Sequence, residues 1–363
     1  MTNVEDPARR DALVERLFQA AVGTMDVLSV YLGTRLGLYE ALAAAGPSTS
    51  SELAASADIN ERYAREWLEQ QAATGIIDVD VLAAGEGGRR YTLPAGHDEA
   101  LLDETSLDYI APIAQLLVAC VRPVDDLVAA FRTGAGVPYA RYGSDLHEGQ
   151  AAFTRPMFER LLGTEWLPAV AEVDARLHAD PPARMADLAC GEGRSSIAIA
   201  RAYPNVRVDG IDADEASIAA ARRHLEGSGV EDRVAFLVAD AAALEPTGDY
   251  DFVHIFESLH DMSYPVGVLA AARGLLTDGG AVLVGDERVG ETFTAPADDL
   301  ERLYYGFSIL HCLPVGMVGE GAAGTGTVMR PDTVRRYAEA AGFSGFAILP
   351  IDNDFYRYYR LTP

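Results

Sequence analysis

The strongest constraint on this chain lies in its second half, where short apolar runs alternate with segments of helical period. Residues 185–189, 206–211, 234–238, 252–256 and 281–285 predict strands, and 195–203, 214–227 and 265–276 predict helices among them. Strands separated by helices run parallel, because each crossover returns the chain to the same end of the sheet. The fold class is therefore α/β, a Rossmann-like doubly wound sheet covered on both faces. An insertion follows at 300–329, then a last helix at 331–341. Residues 346–351 and 355–361, joined by Asp352-Asn353-Asp354, predict a terminal antiparallel hairpin at the sheet edge.

The first half is mainly helical. A long Ala/Leu-rich pattern over 11–45 ends at Gly46-Pro47 and predicts one helix; a second spans 50–58. Asn60 caps a third over 61–74, whose apolar positions include Tyr63, Ala64, Trp67, Leu68 and Ala72. Strands at 76–81 and 89–93 flank a turn at Glu86-Gly87-Gly88, which completes a winged helix-turn-helix pattern. The expected domains are a winged-helix dimerisation domain at 1–110, a helical linker and pocket lid at 111–180, and a ligand-binding domain at 181–363.

Such a pattern invites a DNA-binding reading, and charge argues against it. Residues 48–95 hold four arginines against eight acids, a net of −4, and Arg62 and Arg65 share their helix with Glu61 and Glu69. No basic stripe forms, so counterion release cannot drive binding to DNA. The whole chain of 363 residues carries −26, which lowers the odds of nucleic-acid or membrane partners. The longest apolar stretch, 109–121, is too short to span a bilayer, and no secretory leader is visible. Cys120, Cys190 and Cys312 are few and widely spaced, unlike a disulfide framework or a thiolate zinc site. The expectation is a soluble cytoplasmic protein.

The loop Asp187-Leu188-Ala189-Cys190-Gly191-Glu192-Gly193 joins the first strand of the sheet to its helix. Small residues there let backbone approach a ligand closely. Asp212 ends the second strand and can accept hydrogen bonds from ribose hydroxyls, with Ala213 beside it; Asp240 with Ala241 can read an adenine edge. Asp187 suits an ammonium and would repel a diphosphate, and the loop lacks the third glycine of the dinucleotide fingerprint. The ligand indicated is an adenosine with a cationic, phosphate-free tail.

On these residues the chain resembles the class I S-adenosylmethionine-dependent methyltransferases, over about 183–361. Asp187 to Gly193 is similar to their Asp-x-Gly-x-Gly-x-Gly loop, with Ala189 replacing the first glycine. The terminal hairpin matches that fold. The two-domain layout resembles natural-product small-molecule O- and C-methyltransferases, in which the first domain makes a homodimer. The resemblance implies S-adenosyl-L-methionine as cofactor. It also places Met157, within Phe153-Thr154-Arg155-Pro156-Met157, and Phe256 near it; ordinary core packing is the other reading of Phe153 and Met157.

Phe256-Glu257-Ser258-Leu259-His260-Asp261-Met262 follows the fourth strand, at the sheet end where doubly wound folds hold ligands. His260-Asp261 resembles the Leu-His-Asp stretch of those O-methyltransferases, whose histidine is the general base. Methyl transfer needs alignment and removal of a proton, which a histidine can perform. Asp261 then assists, and Glu287 is a plausible partner for His260; Asp286 and Arg288 are equally readable as a structural ion pair. His311, on an apolar segment at 303–314, reads as a core residue or as a third metal ligand with His260 and Asp261. That set is similar to the metal-dependent C-methyltransferases of 2-oxoacids and would take iron or zinc. Arg330 could bind a substrate carboxylate or cap a helix. The leading expectation is O-methylation of a small metabolite with His260 as base. Metal-dependent C-methylation of a 2-oxoacid, a DNA-binding metabolite sensor, and a cofactor-binding protein without methyl transfer are the rivals.

Overall fold

A computed structural model describes residues 6–80 and 88–363, so the predicted strand end at Val81 and most of the Glu86-Gly87-Gly88 turn lie outside the described residues. The chain divides into two compact units, Met1–Val118 and Ala119–Pro363. Most of the expected linker, 119–180, is therefore compact with the second unit rather than a body of its own.

In the first unit, the single helix expected over 11–45 is two. Gly37 takes a left-handed conformation (φ 65°) between α1 (Pro7–Arg35) and α2 (Leu38–Ala45). A capping box of Thr49 and Glu52 opens α3 (Ser50–Ala57), and the Asn60 side chain accepts the Arg62 N–H at 2.9 Å to open α4 (Glu61–Ala73). α4 buries Ala64, Trp67, Leu68 and Gln71, an i, i+3, i+4, i+7 stripe. Tyr63, expected on that face, is instead exposed. The wing is β1 (Asp78–Asp80) paired antiparallel with β2 (Arg90–Thr92). Tyr39, Leu42, Leu53, Leu68, Ile77 and Tyr91 make the core, and α5 (His97–Leu102) adds Leu101. The four arginines of 48–95 are all paired: Arg62 with Glu66, Arg65 with Glu61, Arg89 with Glu69 and Arg90 with Glu52. The surface that a DNA reader would charge positively is thus neutralised at each of these cations.

α6 (Pro112–Val121) contains the division point. The second unit continues with α7 (Val124–Thr133), then α8 (Ser144–Met157), which runs into a wider π-wound segment at Phe158–Trp166, and α9 (Ala171–His178). Pro156 removes one helical donor just before the widening. The alternating elements are β3 (Arg184–Leu188), α10 (Arg194–Ala202), β4 (Arg207–Asp212), α11 (Glu215–Leu225), β5 (Val234–Val238), β6 (Tyr250–Phe256), α12 (Pro265–Leu275) and β7 (Leu276–Glu287). α13 (Asp299–Phe307) winds on through a π segment, Ser308–Cys312, into α14 (Leu313–Gly316). α15 (Pro331–Ala340), β8 (Gly345–Ile348) and β9 (Tyr356–Thr362) follow.

The seven strands lie in the order β5-β4-β3-β6-β7-β9-β8, all parallel except β9, which is antiparallel to β7 and β8. The terminal hairpin forms as expected, but its last strand inserts beside β7 and leaves only β8 at the edge. Period-two alternation sorts the side chains. Met185, Phe252, Phe256, Ala281 and Leu283 join Phe158, Trp166 and Phe236 on one face. Ala186, Leu188, Val253, Ile255, Val282 and Val284 join Leu269 and Val334 on the other. The strand order reverses at β3, between β4 and β6, which opens a crevice at their carboxyl ends. Among the described residues no helix is long and apolar enough to cross a membrane.

Candidate active site

The loop after β3 bends at Ala189, Gly191 and Gly193, all at positive φ (54°, 53° and 74°). A Cβ on Gly193 would stand 2.3 Å from the Phe236 ring, so glycine is needed there for the loop to pack on the sheet. A Cβ on Gly191 would meet nothing within 4 Å, so this part of the loop presents bare backbone. Asp212 Oδ2 accepts the Gly191 N–H at 2.8 Å and Oδ1 accepts the Asp214 N–H at 2.8 Å. Each oxygen keeps a lone pair for a ribose hydroxyl. Burial lifts the Asp212 pKa above the usual carboxylate range, against those two hydrogen bonds. Asp240 is exposed and caps the turn at Ala241–Ala243 through the Ala242 N–H (2.9 Å); Ala213 is exposed and Ala241 half-buried. These residues fit an adenosyl ligand.

Three expected cofactor contacts are otherwise engaged. Asp187 is buried, with Oδ1 accepting from His254 Nδ1 at 2.9 Å and Oδ2 accepting from the Ser195 and Ser196 hydroxyls, each at 2.6 Å. It ties the start of α10 to β6 and is not available to a ligand ammonium. Burial would raise its pKa, but His254 and the two serines hold it below the ordinary value. The Phe256 ring sits in an aromatic cluster with Phe158 (4.8 Å), Trp166 (5.9 Å) and Tyr356 (4.8 Å). Met157 packs on the same core cluster, and Phe153 is half-buried.

The turn after β6 carries the chemistry. His260 is buried, with Nδ1 2.9 Å from Asp286 Oδ1 and 3.0 Å from Glu287 Oε2, both at the end of β7. Burial alone would lower the His260 pKa; the charges of Glu287 and Asp286 outweigh it and hold the imidazole well above its ordinary value. The Nδ1–H is thereby fixed toward the carboxylates, which leaves Nε2 as the ring's other nitrogen for proton exchange, with the Cys312 thiol also hydrogen-bonded to the imidazole. Glu257, at a strained positive φ of 50°, accepts from the Tyr356 hydroxyl at 3.1 Å, and burial pushes its carboxyl up to about 7. Burial likewise lifts Asp261 to about 6. The Gly-rich loop braces this turn: Gly326 donates to the His260 carbonyl (2.9 Å) and Ala323 to that of Ser263 (2.8 Å).

The expected metal set does not come together. Among the described residues the group whose ligand atoms could share one ion is His260, Asp286 and Glu287, not His260, Asp261 and His311. His311 lies against the Tyr142 ring (4.6 Å) with Nδ1 3.4 Å from Cys312 Sγ, and burial together with nearby His260 pushes its pKa down to about 3. Arg330 is held by Glu301 (2.9 Å) and the Gly290 carbonyl (2.5 Å), not offered to a substrate carboxylate. Asp286 does not pair with Arg288, which reaches the Asn353 carbonyl at 2.7 Å.

Residues 185–280 match the methyltransferase domain family, and residues 23–103 match the Rv2258c-like winged HTH domain. Human N-acetylserotonin methyltransferase, solved in complex with S-adenosylmethionine, superposes with a TM-score of 0.71 at 19% identity, covering 100% of this chain and 99% of its own. Mitomycin 7-O-methyltransferase gives 0.69 at 20% identity, covering 98% and 99%. The second unit has the class I methyltransferase fold. The chain is 31% identical over 146 residues to trans-aconitate 2-methyltransferase of Acidovorax sp. (strain JS42), 40% of this chain and 53% of that protein. It is 36% identical over 104 residues to 27-O-demethylrifamycin SV methyltransferase of Amycolatopsis mediterranei (strain S699), 28% of this chain and 38% of that protein. The chain thus matches about half or less of the length of these curated relatives.

Two residues of the methyltransferase domain's site escape the sequence reading. Glu257 follows an unbroken buried strand, and a carboxylate in that position faces the ligand-bearing edge of the sheet. For Asp286, one residue before Glu287 at the end of β7, what escapes is its role as the partner of His260 Nδ1; its place at the strand's carboxyl end is legible as lining a cleft.

Proposed function

We propose that the protein is an S-adenosylmethionine-dependent methyltransferase of a small-molecule acceptor, with His260 as the general base. The observation that carries this reading is the buried His260, fixed at Nδ1 by Asp286 at 2.9 Å, on the same carboxyl edge of the sheet as the bare Gly191 loop. When bound, the cofactor supplies an electrophilic methyl group. The Gly191 backbone and Asp212 hold its nucleoside, with Asp240 and Ala241 at the base. His260 Nε2 accepts the proton that the acceptor gives up, and Asp286 and Glu287 stabilise the imidazolium that results. Those carboxylates favour the imidazolium form of His260. Activity rises with pH as that proton leaves. The test is S-adenosylhomocysteine production across a metabolite panel as a function of pH; His260→Ala must remove the alkaline rise. Turnover by the variant with an unchanged pH profile would sink the assignment.

We also propose a homodimer formed through α1. Leu13, Val14, Leu17, Phe18, Met25 and Leu32 are exposed along it, and Gly33 is its one buried residue. A stripe of that length calls for a partner helix. Sedimentation of Leu17→Asp/Phe18→Asp should show monomer where the parent shows dimer. Three free, buried cysteines support a reducing, cytoplasmic setting.

A further inference from the structure

We propose that the acceptor taken at this site carries a protonated amine near the atom that is methylated, received by Glu257 and Asp261. The inference rests on the methyltransferase reading and adds the charge of its substrate. Asp286 and Glu287 contact the His260 imidazole at 2.9 and 3.0 Å, each with a buried oxygen that lacks a hydrogen-bond partner, and Glu257 and Asp261, from the turn that carries His260, interact with it electrostatically. Each of Glu257, Asp261 and Glu287 feels His260 as an attractive charge and Asp286 as a repulsive one. No arginine is among the groups acting most strongly on them, and the chain contains no lysine. Arg288, next to Glu287, donates to the Asn353 carbonyl (2.7 Å); Arg330 is held by Glu301 (2.9 Å), and Arg357 donates to the Val289 carbonyl (3.0 Å).

One imidazolium can balance one carboxylate, and it is already held by the Asp286–Glu287 pair. Apart from that shared imidazole, Glu257 and Asp261 are left with neutral partners or like charges. Glu257 faces Gln150 from α8, Tyr356 from β9, His260 and Asp286; Asp261 faces His260, Asp286 and Asp212. Half-buried carboxyls so placed favour a proton or a cationic partner. The valences left open agree. Asp286 Oδ2 and Ser258 Oγ are buried without a hydrogen-bond partner, and a protonated amine offers three donors to such atoms. A carboxylate acceptor would meet the opposite, like charge from these acids. The 2-oxoacid alternative therefore fails on charge as well as on the metal set.

The test uses full-length protein saturated with S-adenosylhomocysteine and three phenols of matched shape: tyramine, para-ethylphenol and para-hydroxyphenylpropionate. Calorimetry should rank the cation at least about tenfold above the neutral phenol, with the anion weakest. Tyramine binding should also release protons between about pH 6 and 7, as Glu257 and Asp261 ionise to receive it. Glu257→Gln with Asp261→Asn should erase the advantage of tyramine and leave para-ethylphenol binding unchanged. Equal or reversed ranking, including no binding by any of the three, overturns the inference. So does a double variant that loses S-adenosylhomocysteine affinity while keeping the ranking, because the acids would then serve the cofactor. Cofactor binding by the unsubstituted protein is read in the first titration; its absence would sink the underlying reading instead.

Discussion

His254 and His260 lie six residues apart, both are buried, and each places Nδ1 2.9 Å from an aspartate oxygen. Their surroundings differ in what remains unsatisfied. The partner of His254 is Asp187, whose second oxygen is filled by the Ser195 and Ser196 hydroxyls at 2.6 Å, and the ring lies against Phe256 at 5.9 Å. The partner of His260 is Asp286, whose second oxygen has no hydrogen-bond partner, with Glu287 crowding the same nitrogen at 3.0 Å. His254 Nε2 is also buried without a partner, so the difference lies in the carboxylates: that of Asp187 is fully used and fastens strand to helix, and that of Asp286 keeps an oxygen free to bind.

The widest separation between the two histidines is expected in turnover. His260→Ala should lower kcat by about a hundredfold or more, the usual contribution of a positioned base, with cofactor affinity unchanged. If His254→Ala lowered kcat as much while the fold held, the two networks would not differ as described. Next in size is stability. Asp187→Ala leaves a buried histidine without its carboxylate and should remove about 3–5 kcal/mol, read as a lower Tm and denaturation midpoint. A shift no larger than that of Asp286→Ala would erase the contrast.

Titration separates the same regions with opposite signs. The Asp187 pKa is lowered in the folded state, so its contribution is present above the ordinary carboxylate range and lost as pH falls through the folded value. Glu257 is raised to about 7, so its ionisation opposes folding as pH climbs from its ordinary 4.5 toward 7. Glu257→Gln should therefore stabilise the protein at pH 8 relative to the parent and change little at pH 4. The smallest effect is expected at Ala189, whose positive φ of 54° is strained for any residue with a Cβ. Relief of that strain, partly offset by glycine's extra chain entropy, makes Ala189→Gly more stable by about 0.5–1 kcal/mol in equilibrium unfolding.

The contrast also shows what could be read from sequence. Strand and helix alternation, the loop ending in Gly193, the wing and the terminal hairpin follow from periodicity and turn residues, which are local signals. The break at Gly37 was hidden because apolar spacing continues through it, and only the backbone reports the left-handed turn. The position of Asp212 at the end of β4 and of His260 in the turn after β6 is legible from the same pattern. Asp187 was assigned to a ligand because its competitors, Ser195, Ser196 and His254, converge on it only in three dimensions. Phe256 and Met157 pack on one core cluster, which for Met157 is the second of the two readings its segment allows. The metal set failed because His311 occupies an aromatic cage and His260 turns its Nδ1 to β7.

The central claim is that the second unit holds the S-adenosyl nucleoside through the Gly191 loop and Asp212. Calorimetric titration of ligand-free protein with S-adenosylhomocysteine, and of Asp212→Ala beside it, tests this most directly. The account predicts saturable heat from the parent, and at least about tenfold weaker binding by the variant, since two hydroxyl contacts are lost. No heat with S-adenosylhomocysteine, alongside clear binding of a nicotinamide dinucleotide, would contradict it.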